Sequence, residues 1–230
     1  MADEKKYIDS STLLLAMVAG FCDTSTFVSG DSIFSAHVTG NFIVFAAQVI
    51  VGTEENAWIK LLTFPVFIVA VMAGGWLAGR SGNKYLLLWI EGMLLLLCGA
   101  IAVVHSALSL PETDISIYCI VMIVVAAMGL QNAFGKIYAK ETHGPTTMMT
   151  GNVTQAALDL GNLIVQGTKM GPVVSFKKHL FLIGGFLLGC LLGASISKAV
   201  GLISIFVPAV IILVYYPIYR RWSQSSAAGK

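Results

Sequence analysis

Asp23 closes an apolar run that begins at Leu13, and an ionisable group in such a place needs either a partner or a function. A carboxyl held there can take up and release a proton for a coupled process; equally, it can do no more than cap the chain that follows. His37 carries the side chain that changes charge near neutral pH, which suits a relay or a gate as well as an ordinary hydrogen bond at a membrane boundary. Close behind it comes Thr39-Gly40-Asn41, and the same triplet returns as Thr150-Gly151-Asn152. Glycine frees the backbone, and Thr and Asn side chains cap helix starts, so each triplet predicts a helix N-terminus. Such an end carries about half a positive charge and unbonded amides, enough to hold an anion or orient a polar molecule. The competing reading is close helix packing through small residues.

The first motif has an upstream partner, Gly20-Phe-Cys-Asp23, that recurs as Gly129-Leu-Gln131-Asn132. Neutral Asn132 thus stands where the first copy has Asp23, with Gln131 beside it. Asp159 follows Thr150 by nine residues, as Gln48 follows Thr39, which sets a polar group on the helix face opposite each threonine. The candidate solute-binding residues are therefore Asp23, His37, Thr39, Gly40, Asn41, Gln131, Asn132, Thr150, Gly151, Asn152 and Asp159. Glu91 lies inside another apolar run deep enough to need pairing, either as a structural pair with another helix or as part of the solute pathway.

Other chemistries lack their residues. No nucleophile elbow, phosphate-binding glycine loop or metal-spaced His cluster occurs, so neither catalysis nor a cofactor or metal is expected. Cys22, Cys98, Cys119 and Cys190 stand singly in apolar stretches and read as buried, inert thiols. A net charge of +2, with the basic residues scattered, argues against nucleic acid as a partner.

The elements that must position these residues are apolar helices. Only 11% of the 230 residues are charged, against about 25% in a soluble domain, so the chain reads as a single all-α integral membrane domain over residues 1–230. Its partner is the lipid bilayer. Six segments have the length of a crossing, about 20 residues: 11–30, 58–78, 85–105, 115–135, 179–197 and 200–219. Two more, 36–52 and 146–166, are helical in pattern but unlike lipid-facing spans; the second carries Asn152, Gln155, Asp159 and Asn162. The polar termini, MADEKKYIDSS and SQSSAAGK, read as a lead-in to a retained first span and a short disordered tail.

Cytoplasmic loops collect Lys and Arg. Eight crossings would divide the 14 basic residues 9 to 5, whereas re-entry of the two odd segments leaves only Lys60 and Lys198 outside, a split of 12 to 2. Re-entry is favoured, with both termini cytoplasmic and a plasma or inner membrane as the location. Asp31, Glu54, Glu55, Glu112 and Asp114 then lie outside. Each copy of the motifs belongs to a unit of span, odd segment, span, span, at about 11–105 and 115–219. Three crossings per unit invert the second copy, giving a 3+3 inverted-topology repeat whose two re-entrant or broken helices would meet near the midplane.

At Ala19-Gly20-Phe-Cys-Asp23, Phe34-Ser-Ala-His37-Val-Thr39-Gly40-Asn41, Met128-Gly129-Leu-Gln131-Asn132-Ala133 and Thr146-Thr-Met-Met-Thr150-Gly151-Asn152, the chain resembles the YoaK-like family, also known as domain of unknown function 1275. The resemblance runs from the first span to the last and implies a six-span membrane protein, with no substrate attached. The residues themselves favour a transporter for a small polar or anionic solute, proton-coupled through Asp23. A passive channel and a non-transporting scaffold or lipid-interacting protein are the alternatives. The small-residue runs 73–79 and 184–194 predict helix contacts, within the chain or in a homodimer.

Overall fold

Residues 2–52, 56–109, 115–166 and 170–228 are described by the computed structural model, and every regular element among them is helical. In chain order these are α1 (Ala2–Ser29), α2 (Gly40–Val51), α3 (Ile59–Arg80), α4 (Leu86–Ala107), α5 (Ile115–Ile137), α6 (Met149–Gln166), α7 (Met170–Val200), a short 3-10 helix (Gly201–Ile205) and α8 (Phe206–Ala228). Helices pair their own backbone groups, which lipid requires because it offers no substitute for water. Five stretches are long and apolar enough to cross a bilayer: Ile8–Ser29, Ile59–Arg80, Leu86–Ala107, Ile115–Ile137 and Gly171–Tyr215. The last has 45 residues, about twice a crossing, and it is broken where Gly201 takes φ +62° and the chain tightens into the 3-10 turn. Large apolar side chains such as Ile43, Ile50 and Val165 are exposed, as a lipid-facing surface requires. The protein is a membrane protein.

Some boundaries differ from the sequence expectation. Helix α1 begins at Ala2 rather than Ser11, and α7 at Met170 rather than His179. Helix α8 continues to Ala228, through the stretch expected to be a disordered tail. A helix does not end where its apolar stripe ends, since Ala, Glu and Lys propagate it into polar surroundings. Glu54, Glu55, Glu112 and Asp114, expected in outer loops, lie outside the described residues. Cys22 and Cys98 are buried, but Cys119 is exposed and Cys190 half-buried, because their positions face out from the bundle.

Glycines set the helix directions. A Cβ on Gly185, Gly189 or Gly193 of α7 would strike the carbonyl oxygens of Leu13, Met17 and Phe21 in turn, so α1 and α7 run parallel with backbones in contact. Helices α3 and α5 are also parallel: Gly129 sits against Ala70, and Gly74 against Ala133. Helix α4 runs against α8, with Gly92 at Leu213 and Gly99 at Phe206. It also runs against α5, where Cys98 Sγ reaches the Ile120 carbonyl and the Tyr85 ring meets Phe134. Helices α1 and α5 are antiparallel, Leu15 lying level with Gln131 and Gly30 with Val121. Thus α1, α4 and α7 point one way and α3, α5 and α8 the other. The chain leaves α1 and enters α3 at one face, here the far face; it leaves α5 and enters α7 at the opposite, near face. Helices α2 and α6 belong to these two returns, and α2, at 12 residues or about 18 Å, is too short to cross.

Candidate functional site

Asp23 sits in the last third of α1, where the segment before α2 folds back onto it. Its Oδ1 accepts the backbone N–H groups of Ala36 (2.7 Å) and His37 (3.2 Å), and its Oδ2 lies 2.7 Å from His37 Nδ1. Asp23 is buried, while the His37 side chain is 34% exposed and set edge-on to Phe186. The hydrogen bond from the ring to the Asp23 carboxylate pushes the pKa of His37 up, against the opposing effect of partial burial. Asn41 fastens the same segment: its Oδ1 accepts the Phe34 N–H, and its Nδ2 donates to the Phe34 carbonyl and to Thr63 Oγ1 of α3. Gly40 is required by contact, as a Cβ there would lie 3.0 Å from the Phe34 ring.

The expected helix-end chemistry is corrected here. Thr39 makes no side-chain cap, and the amides of Gly40, Asn41 and Phe42 bond the carbonyls of His37, Val38 and Thr39. Thr39 already has helical backbone angles, so the chain enters α2 through a tight turn that consumes these donors. This end of α2 offers no row of free N–H groups.

A second cluster forms at the near face. Asn132 Nδ2 donates to Thr147 Oγ1 (2.6 Å), and Gln131 Nε2 donates to Thr146 Oγ1 and to the Leu15 carbonyl, both at 2.7 Å. Asn152 turns back to the carbonyls of Met148 (2.7 Å) and Pro145 (3.4 Å). Thr150 and Gly151 lie inside the first turn of α6; the Thr150 carbonyl accepts Thr154 Oγ1, and Gly151 faces open space. Asp159 Oδ1 accepts Gln155 Nε2 within α6, and its carboxylate also faces Ser175 of α7. The two clusters match position by position. Each motif Asn reaches the residue seven places back, Phe34 or Pro145, and each upstream side chain, Asp23 or Asn132, holds the residue five places back, Ala36 or Thr147.

The clusters do not meet at a midplane. Helix α2 packs on α3 and α6 on α7, with no contact between α2 and α6. Asp23 is eight residues beyond Leu15, the level of Gln131, which is about 12 Å along α1. The expectation failed because opposed helix directions carry the two motif clusters to opposite faces. Between them Ala19, Cys22, Val124, Ala127 and Met128 are fully buried. One polar side chain enters this layer: Glu91 of α4, fully buried, near enough to Cys22 to act on it electrostatically, with both carboxyl oxygens lacking a hydrogen-bond partner.

The near face is also tied by longer bonds across the chain. The His143 amide donates to Thr12 Oγ1, and its ring Nε2 lies 2.5 Å from Asp9 Oδ1. Burial lowers the pKa of His143 despite the pull of Asp9. Glu141 binds Lys84 and the Tyr85 hydroxyl. At the far face, fully buried Lys60 donates to Asp31 Oδ2 at 2.8 Å. This pair was absent from the candidate residues; a lone lysine at the mouth of an apolar run was the available signal. Among the described residues no three His, Cys, Asp or Glu side chains are grouped to hold a metal ion.

No curated protein and no solved structure matches the chain. Residues 11–217 match the family described as protein of unknown function (DUF1275), and the chain belongs to that family.

Proposed function

We propose that the protein is a carrier for a small polar or anionic solute, made of two inverted units of three crossings each, with α2 and α6 re-entrant. The observation that carries this reading is the pairwise equivalence of the clusters at opposite faces, Asp23 with Ala36 and Asn132 with Thr147. The helix pairs α1 with α7 and α5 with α3 repeat the same parallel glycine contact, as two related units exchanging partners would. With six crossings 12 of the 14 basic residues fall on the near side, which supports a cytoplasmic near face with both termini there, in a plasma or inner membrane. The ionisable pair of the far cluster, Asp23 and His37, supports proton coupling there. The buried layer between the clusters supports a carrier over an open channel, since a standing pore needs a continuous polar path.

The test is a thermal-shift screen of the purified chain against small anions, amino acids, nucleobases and carboxylates, repeated on Asp23→Asn. A solute at about a hundred times its dissociation constant stabilises by about 2.7 kcal/mol. A hit weakened by the substitution, followed by its saturable uptake into vesicles, supports the carrier. Conduction without saturation supports a channel instead, and a silent panel with a well-folded variant counts against both.

A further inference from the structure

At the far face the ends of α1, α4 and α5 and the junction between α7 and α8 line an open cavity of about 1100 Å³. Small-molecule sites run from roughly 300 to 1,000 Å³, so there is room for a metabolite with its water. Among the described residues, the non-glycine positions with positive φ are Asp31 (60°), Ser32 (55°) and Ser109 (51°), and all three line this cavity, as does Gly201 (62°). Left-handed backbone is costly for residues with a side chain and gathers where a site requires it.

The charges on the wall select the ligand. Asp31 is neutralised: its Oδ2 receives Lys60 Nζ at 2.8 Å and the Tyr118 hydroxyl at 3.2 Å. Lys198 lines the cavity and pairs with no acidic side chain among the described residues. Among the described lining residues, with His105 taken as neutral, this leaves one positive charge without an acidic partner, that of Lys198. Serine hydroxyls of Ser32, Ser106 and Ser109 line the same cavity, while those of Ser29 and Ser197, also in the lining, bond each other and backbone carbonyls. Apolar side chains, Phe27, Val28, Ile117 and Leu202, share the lining. An inorganic anion has no use for the apolar lining, and among the described lining residues a cation finds only a carboxylate already paired.

We propose that this cavity binds a small organic carboxylate, with Lys198 as its charge partner, the serine hydroxyls bonding its oxygens and the apolar lining taking its carbon chain. The proposal deepens the carrier reading by naming a substrate class, and it rests on that reading only for what happens after binding.

Ser109→Cys, in the full chain in lipid nanodiscs, gives a reporter on the cavity wall. A charged maleimide is added with butanoate, hexanoate, butylamine or 1-butanol, and the adduct is located by mass spectrometry. The expected result is protection by the two acids, hexanoate at lower concentration, and none by the amine or the alcohol. Lys198→Gln should raise the half-protecting concentration about tenfold or more, and Lys198→Arg should restore it. Equal protection by the amine, indifference to Lys198→Gln, or no protection by either acid at Ser109→Cys and at a second reporter, Ser106→Cys, would overturn the site. Protection without solute uptake into vesicles upholds the site and removes the carrier; uptake without protection removes the site and upholds the carrier.

Discussion

His37 Nδ1 lies 2.7 Å from Asp23 Oδ2, a bond that ties the segment before α2 to the body of α1. The folded-state pKa of His37 is raised above its ordinary value of about 6.5 by that carboxylate. The stability it adds is therefore complete below about pH 6.5 and is lost as pH climbs through the raised value. Melting temperatures of the wild type and His37→Gln, taken from about pH 6 to about pH 9, should converge toward the alkaline end. Curves that stay parallel would remove the pair as a source of stability.

Gly189 leaves no space for a side chain, since a Cβ there would fall 2.0 Å from the Met17 carbonyl oxygen, and backbone cannot swing aside. Gly184, on the same helix, has nothing within 4 Å. Gly189→Ala is expected to cost about 3 kcal/mol or more, or to prevent folding, while Gly184→Ala is neutral or slightly stabilising. Denaturant unfolding in detergent measures both. Equal effects would mean that α1 and α7 are not held in this contact.

Glu91 has no hydrogen-bond partner on either oxygen, and a buried polar group left so costs about 1–3 kcal/mol. Glu91→Leu should raise stability by an amount of that order. If the variant is also inactive in uptake, stability gained with function lost marks Glu91 as part of the working machinery. A destabilised Glu91→Leu would instead point to a partner for the carboxyl.

Topology can be read by labelling single cysteines from either side of a sealed vesicle. With six crossings, Gly82→Cys is reached from the cytoplasmic side and Ser109→Cys from outside; with eight, the two exchange.

Apolar runs and turn residues carried most of the helices, because hydrophobic length is a local property of sequence. The six long segments and the two odd ones all reappear, α1 to α8. That Asp23 needs a partner was legible, but the partner was not: Asp23 with His37, Asn132 with Thr147 and Asn41 with Thr63 emerge only from the fold. What sequence could not supply was depth. Whether two matched motifs share a level depends on which way their helices point, and that follows from contacts such as Leu15 with Gln131, distant in the chain. Lys60 with Asp31 escaped for the same reason, its partner being set by a left-handed turn at Asp31 and Ser32 that nothing in the local pattern announces.

Gly20 finishes its packing only when Phe186 arrives, 166 residues later in synthesis. During translation α1 must therefore wait in lipid with a bare backbone groove, and α3 must do the same until α5 follows. Neither half can complete its own assembly, since each supplies what the other lacks. Two halves made as separate chains in one cell should find each other, whereas either made alone should be cleared as an orphan.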